Sequence, residues 1–105
     1  MAKFEARIED RLQIQELLTR YCYAVDTRNW ELFRTVFMED ALIDYSANYF
    51  GSKGSVNDMI DYISQNFVLF SQTSHMWSNV EITFTGPNNA KVRAALNNPL
   101  YLYGL

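Results

Sequence analysis

The chain contains one histidine, His75, and the chemistry open to a lone imidazole depends on the side chains that meet it. A histidine side chain titrates near neutral pH, so it can take up a proton and return it within one reaction. A carboxylate hydrogen-bonded to the second ring nitrogen fixes the tautomer and stabilises the imidazolium. Asp26, at the end of the first predicted helix, is the candidate for that carboxylate, although nearly half the chain separates the two residues.

Two tyrosines are candidates for the electrophilic part of such a site. A phenolic hydroxyl that points into an apolar cavity can polarise a carbonyl and stabilise a developing enolate. Tyr21 lies in the apolar stripe of the first helix, so core packing explains it nearly as well, and Tyr45 shares a strand face with Ile43. Each residue of a regular helix turns by about 100°, which places Tyr21 and Asp26 about 140° apart. Both therefore reach one pocket only if the helix ends or tightens there.

The substrate contacts expected around these residues are aromatic, apolar and amide side chains. They are Trp77 and Asn79, which alternate with His75 on one face of a predicted strand, together with Val25 and Phe37 from the buried faces of the first two helices. Purely structural roles are the alternatives. A lone histidine often makes a single hydrogen bond at a sheet surface, and Asp26 could simply end its helix.

Composition restricts the function classes. A chain of 105 residues is one small domain, and 49 % hydrophobic residues indicate a globular protein. A net charge of -3 without a basic run argues against nucleic-acid binding, and no apolar run reaches membrane-span length. The single Cys22 cannot form an internal disulfide and lacks a basic neighbour, which favours a buried thiol in a cytoplasmic protein. One His and one Cys make no standard zinc set, so neither a metal nor a cofactor is expected.

Hydrophobic periodicity predicts the elements that would position the site. Helices are expected over 5–26, 30–37 and 56–67, and strands over 41–45, 73–84 and 90–96, with Asn29 and Ser55 as helix N-caps. The stripe of the first helix is expected to extend to Ile8 and Leu12. A turn or short hairpin is expected over 46–54, and a tight turn over 86–89. Helices early and antiparallel strands late indicate an α+β fold.

Several segments taken together resemble a known family. They are the run from Ile8 to Asp26, then Asn29-Trp30, Phe37 to Ala41, Asp44-Tyr45 and Thr73 to Met76. In this order and spacing the chain resembles the SnoaL-like branch of the nuclear transport factor 2-like superfamily, and is similar to scytalone dehydratase and bile acid 7α-dehydratase.

The resemblance implies a cone-shaped, curved antiparallel sheet around about three helices, with a pocket at its open mouth. It implies catalytic roles for His75, Asp26, Tyr45 and Tyr21, although Val25 stands where scytalone dehydratase has a tyrosine and no second histidine exists. The cone normally has two more long strands, so residues 1–105 are expected to be one domain that lacks its last strands. An exposed sheet edge would remain, for which a homodimer or a higher homo-oligomer is the expected remedy.

Two functions follow. The first is a cofactor-independent lyase or isomerase acting on a small hydrophobic hydroxy-carbonyl or polycyclic compound. The second is a module that binds an apolar ligand or builds an oligomer without catalysis, because members of this fold family include proteins without known activity.

Overall fold

The computed structural model of the protein describes residues 7–47 and 52–103. The helices are α1 (Ile8–Asp26), α2 (Trp30–Arg34) and α3 (Val56–Asn66), and a 3-10 turn (Phe67–Leu69) follows α3. The strands are β1 (Ile43–Asp44), β2 (Lys53–Gly54), β3 (Phe70–Thr73), β4 (Met76–Gly86), β5 (Asn89–Asn97) and β6 (Leu100–Leu102). Three helices and antiparallel strand pairs confirm the predicted α+β fold. The predicted helix start at residue 5 and part of the 46–54 turn lie outside the described residues.

Side-chain caps define where the shorter helices begin and end. The Asn29 side chain accepts the Leu32 N–H at 3.1 Å, and Ser55 forms a reciprocal capping box with Asp58, so both predicted N-caps are confirmed. The second helix ends at Arg34, three residues before the predicted end. Thr35 donates its hydroxyl to the Leu32 carbonyl at 2.6 Å, an interaction that competes with continuation of the helix.

The helices enclose a small apolar core, which we call the helical core. Its members are Ala24, Val25, Phe33, Ile43, Val56, Met59, Ile60 and Ile63. The helical spacing of Val56, Met59, Ile60, Ile63 and Phe67 predicts one apolar stripe along the third helix, and the first four are buried in this cluster. Phe67 packs against the cluster from the 3-10 turn and is only partly buried. The predicted extension of the first-helix stripe is wrong. Ile8 and Leu12 are both exposed, because no element of the described chain covers the early turns of α1 on that side.

The strands after α3 form one long antiparallel ribbon with an interruption. Thr73 pairs with Leu100 before it and Met76 pairs with Asn97 after it, in the same register. The single strand predicted over 73–84 is therefore wrong at His75, which lies in the break. The opposing Pro99 has no N–H to donate, and only its carbonyl is used, by Ser74 N–H at 3.1 Å. The hydrogen bonding between the two strands of the ribbon is thus interrupted beside the candidate site.

The predicted alternation along β4 is wrong at Asn79, because the strand contains a β-bulge there. Asn79 has a φ of 54°, and the pairing register with β5 shifts between Ser78 and Glu81. The extra residue reverses the phase of the strand. Trp77 consequently shares its half-buried side with Val80, rather than with Asn79, whose side chain is exposed.

We call β4 and β5, with the turn between them, the hairpin. The turn predicted over 86–89 is present, with Pro87 and Asn88 between the paired residues Gly86 and Asn89. Arg7 holds it by donating from Nη1 to the Gly86 carbonyl and from Nη2 to the Pro87 carbonyl, both at 2.9 Å. The Arg7 guanidinium also lies 3.8 Å from the centre of the Phe84 ring. The hairpin is nevertheless lightly covered, and the molecule is elongated, with extents of 54 × 28 × 25 Å.

Candidate active site

The carboxylate of Asp26 is the centre of a buried hydrogen-bond network. Its Oδ1 lies 2.6 Å from Nδ1 of His75 and accepts the Thr73 hydroxyl at 2.9 Å, while its Oδ2 accepts the His75 backbone N–H at 2.8 Å. The side chain of His75 is 7 % exposed and that of Asp26 is 20 % exposed. Both the ring and the backbone of residue 75 are therefore held by one carboxylate.

The position of Asp26 at the last residue of α1 explains how the contact forms. The helix ends there, so the carboxylate can leave the helical face and reach across to the interrupted strand. Tyr21, five residues earlier on the same helix, also contacts the histidine, with ring centroids 6.2 Å apart in an edge-on arrangement. The condition set by the helical angle between Tyr21 and Asp26 is thus met by termination of the helix.

The arrangement prepares one ring nitrogen of His75 for chemistry. A carboxylate at Nδ1 favours the tautomer that carries its proton there, which leaves the lone pair on Nε2. Among residues 7–47 and 52–103, no side chain or backbone group is seen to hydrogen-bond to Nε2. The ring can therefore accept a proton at Nε2 while Asp26 stabilises the resulting charge.

Aromatic rings confine the imidazole from two sides. Phe67, in the 3-10 turn after α3, lies in a stacked orientation with its ring centroid 6.3 Å from that of His75. Tyr21 instead makes an edge-on contact with the same ring. Arg28 fixes this turn by donating from Nη2 to the carbonyls of Phe67 and Phe70, at 2.9 and 3.0 Å. The apolar rings reduce water access to the dyad, and electrostatic interactions there are correspondingly stronger.

The two candidate tyrosines meet each other. The hydroxyls of Tyr21 and Tyr45 are 2.5 Å apart, so one donates to the other. Burial raises the pKa of Tyr45 well above its usual value, and the neighbouring Tyr21 adds to the shift. Burial also raises the pKa of Tyr21, although its hydrogen bond with Tyr45 opposes the change. Both phenols stay protonated at physiological pH, and one proton of the pair remains free to donate.

Trp77 lies next to the dyad on the outer side of α1. Its indole N–H donates to the Thr19 hydroxyl at 3.1 Å, which fixes the ring against the helix. Trp77, Asp26 and His75 together line a cavity of about 370 Å³, which Thr19 and Cys22 also border.

The other three expected substrate contacts lie elsewhere. Val25 is fully buried in the helical core. Phe37 packs against Phe33 at 4.9 Å between centroids and borders a separate cavity of about 340 Å³. Asn79 is exposed at the bulge, and its side chain faces away from the side of β4 that carries Trp77. Substrate contacts at these three positions stay predictions.

Thr73 and Phe67 belong to the site although reasoning from the sequence did not select them. Thr73 is 6 % exposed, and its hydroxyl shares Oδ1 of Asp26 with the histidine. A signal for it was present, since residues 73 and 75 point to the same face of an extended segment. Phe67 had no such signal, because a 3-10 turn places its ring and periodicity does not predict that turn.

Cys22 borders the cavity as a thiol rather than a thiolate. Burial raises its pKa, and the charge of Asp26 adds to the shift. In the described part of the chain no group of three or more His, Cys, Asp or Glu side chains could hold a metal ion. The helices that the structure describes include none that is long and apolar enough to cross a membrane.

Three helices packed beside antiparallel strands, with a buried Asp–His pair between them, agree with the architecture expected for a domain of the nuclear transport factor 2-like class. The sequence narrows this further. Residues 6–102 match the family model described as "SnoaL-like domain", and the chain belongs to that family. The resemblance noted from the sequence is thereby confirmed.

The chain is 35 % identical over 99 residues to uncharacterized proteins of Mycobacterium bovis and Mycobacterium tuberculosis. These matches cover 94 % of this chain and 66 % of each relative, so the chain spans slightly less than two thirds of their length. The names of these relatives state no activity.

Two solved structures from Novosphingobium aromaticivorans are similar in fold. The first, named "Putative Scytalone Dehydratase", has a TM-score of 0.79 at 24 % identity, covering 92 % of this chain and 64 % of that one. The second, named "Putative Aromatic Ring Hydroxylase", has a TM-score of 0.77 at 28 % identity, covering 89 % of this chain and 66 % of that one.

Proposed function

We propose that the domain is a cofactor-independent lyase or isomerase for a small hydrophobic hydroxy-carbonyl compound. The observation that carries the proposal is the Asp26–His75 contact of 2.6 Å, made in a site where both side chains are largely buried. The name of the similar "Putative Scytalone Dehydratase" agrees with this class, although a likeness at 24 % identity concerns the fold. A cytoplasmic location is part of the proposal.

In a dehydration, Nε2 of His75 would take the proton next to the substrate carbonyl. The electron pair released from that C–H bond would move toward the carbonyl oxygen, where the free proton of the Tyr21–Tyr45 pair would stabilise the enolate. The imidazolium, stabilised by Asp26, would then return the proton to the leaving hydroxyl. The C–O bond would break as water departs and the carbon–carbon double bond forms. Atoms and charge balance without another reagent.

The test begins with ligands, because the substrate is not known. A panel of β-hydroxy ketones with aromatic or steroid-like frames would be screened for a rise in melting temperature. Compounds that bind would be assayed for the absorbance of the conjugated product. His75→Ala should lower turnover by at least about 100-fold, in line with general acid–base contributions.

Tyr103→Phe is a suitable control, because this tyrosine is 65 % exposed and borders neither the cavity at His75 nor the one at Phe37. Turnover that survives His75→Ala unchanged would reject the assignment of His75. Loss of turnover in both variants would point to a general effect on the fold instead.

A second candidate function is ligand binding or assembly without catalysis. The exposure of nearly every side chain along β5 favours it, since such a surface is suited to contact with another chain. A ligand that raises the melting temperature without being converted, at any pH tested, would support this candidate over the first.

A further inference from the structure

The chain that leaves α1 passes through an arginine with an unusual backbone conformation. Arg28 has a φ of 54°, in the left-handed region. Its N–H donates to the Val25 carbonyl at 3.1 Å, and the Asn29 N–H donates to the Ala24 carbonyl at 2.9 Å. This pair of bonds is a Schellman motif, in which the left-handed residue is usually glycine because a Cβ is unfavourable there. An arginine is thus kept at this position at a conformational cost, which points to a use for its side chain.

The guanidinium of Arg28 is used at the end of a different helix. Its Nη2 donates to the carbonyl of Phe67 at 2.9 Å and to that of Phe70 at 3.0 Å. These carbonyls belong to the first residue of the 3-10 turn and to the residue that follows the turn. The last turn of α3 contains no basic residue, so Arg28 also brings a positive charge to the helix end where the dipole is negative. One side chain therefore holds both ends of the 3-10 turn.

Phe67 connects this turn to the histidine. Its ring stacks on the imidazole with centroids 6.3 Å apart, and it meets the ring of Phe70 edge-on at 5.8 Å. It also packs against the helical core. The end of α1 consequently holds the site in two ways. Asp26 binds the imidazole directly, and Arg28, two residues later, holds the ring that stacks on the imidazole.

We propose that Arg28 is a positioning residue, which holds Phe67 against the imidazole and thereby sets the plane of the His75 ring. The bond from Nδ1 to Asp26 fixes one atom of the ring, whereas a stacked neighbour fixes its tilt about that atom. The lone pair of Nε2 lies in the plane of the ring, so the tilt decides where Nε2 can accept a proton. The consequence for turnover rests on the proposed function, while the position of the ring does not.

Magnetic resonance of the single histidine tests the positioning role without a substrate. In Arg28→Gly the carbon-bound ring protons of His75 should shift, because the ring current of Phe67 acts on them through the stacked contact. Glycine adopts the left-handed conformation freely, so the melting temperature should change little and unfolding cannot account for the shift. Arg28→Asn tolerates the same conformation without the flexibility of glycine and should give the same shift. Arg28→Lys keeps a charged donor and should retain most of the native resonance positions.

Arg93→Gln is the matched control, because it removes the same charge from an exposed arginine whose partner is Glu81 on β4. It should leave the ring resonances of His75 in place. Phe67→Leu tests the route of the effect. If Arg28 acts through Phe67, adding Arg28→Gly to Phe67→Leu should give no further shift. Unchanged resonances in Arg28→Gly, or a shift that adds in full to that of Phe67→Leu, would overturn the positioning role.

Turnover is measured separately, with a compound that the melting-temperature screen identifies and the chain converts. Arg28→Gly should lower kcat by about 10- to 100-fold with little change in KM, and Arg28→Lys should restore much of the loss. An unchanged kcat in Arg28→Gly would overturn the link between the tilt of the ring and turnover. Ring resonances that respond as expected in a chain that converts no compound would support positioning by Arg28 and reject the proposed lyase or isomerase activity.

Discussion

Phe33 in the helical core is fully buried, whereas Leu96 in the hairpin is 53 % exposed, although both are large apolar residues of one short chain. The difference follows from the number of elements that pack on each. α1, α3 and β1 all contribute side chains to the cluster around Phe33, while β4 is the only strand that pairs with β5 in the described part of the chain. Stability is therefore concentrated on the helical side, and the hairpin offers surface for contact. The Asp26–His75 network lies where the two regions meet.

The largest effect is expected from removal of the central ring. Phe33→Ala should lower the free energy of unfolding by about 3–5 kcal/mol, because the cavity would lie among Tyr21, Trp30 and Phe37. Val92→Ala in the hairpin should cost less than about 1 kcal/mol, since that side chain already contacts water. Urea denaturation of both variants measures the contrast. Equal costs would show that the hairpin is as well packed as the helical core.

A smaller effect is expected at the junction of the two regions. Thr73→Val keeps the shape of the side chain but removes the donor to Oδ1 of Asp26, and should cost about 1.5–3 kcal/mol, as for hydrogen bonds to charged groups. Thr73→Ser keeps the hydroxyl and is the matched control.

A spectroscopic readout separates positioning by Thr73 from simple packing. Since the chain has one histidine, the nitrogen-15 spectrum of its ring reports His75 without overlap. The Nδ1 proton resonance should shift in Thr73→Val, because this nitrogen shares an acceptor oxygen with Thr73, and should stay in place in Thr73→Ser. Identical spectra of the two variants would contradict a positioning role.

The smallest effect at neutral pH is expected from the tyrosine pair, with a distinct dependence on pH. The pKa values of Tyr21 and Tyr45 are raised in the folded state, so their contribution to stability is complete below the unfolded value of about 10. It is lost as the pH rises from there through the folded values. Tyr45→Phe should cost about 1 kcal/mol at pH 7 and make the alkaline loss of stability shallower.

Thermal denaturation between neutral and alkaline pH measures this dependence on the tyrosine pair. Tyr23→Phe removes a hydroxyl that lies in solvent and is expected to leave the curve in place. A curve of the same slope in Tyr45→Phe and in the unmodified chain would show that the buried pair does not contribute to it.

Local sequence signals predicted the elements well where caps and periodicity coincide. Asn29 and Ser55 begin their helices as expected, because a side-chain oxygen three residues before an N–H is a local arrangement. The α+β class and the three helices followed from the order of these signals. The end of α2 was not predicted, because a threonine whose hydroxyl bonds to the helix backbone is a weaker sequence signal than an N-cap side chain.

Features that depend on distant partners were less predictable. Alternation along β4 failed at Asn79, where a bulge inserts one residue, and the strand break at His75 depends on Asp26 from α1 and Pro99 from the opposing strand. The Asp26–His75 contact itself was predicted through the family pattern. The Tyr21–Tyr45 bond was not, because each residue fits core packing equally well when considered alone.

The bond from the His75 backbone N–H to Asp26 makes the position of residue 75 partly independent of its side chain. A carboxylate that anchors the main chain leaves the residue type at that position comparatively free. At the strand break, His75 can accordingly be replaced by a residue with another functional group, such as the amine of a lysine, while the surrounding aromatic side chains are retained. For protein engineering, this one main-chain contact makes the domain a scaffold for reactions other than proton transfer.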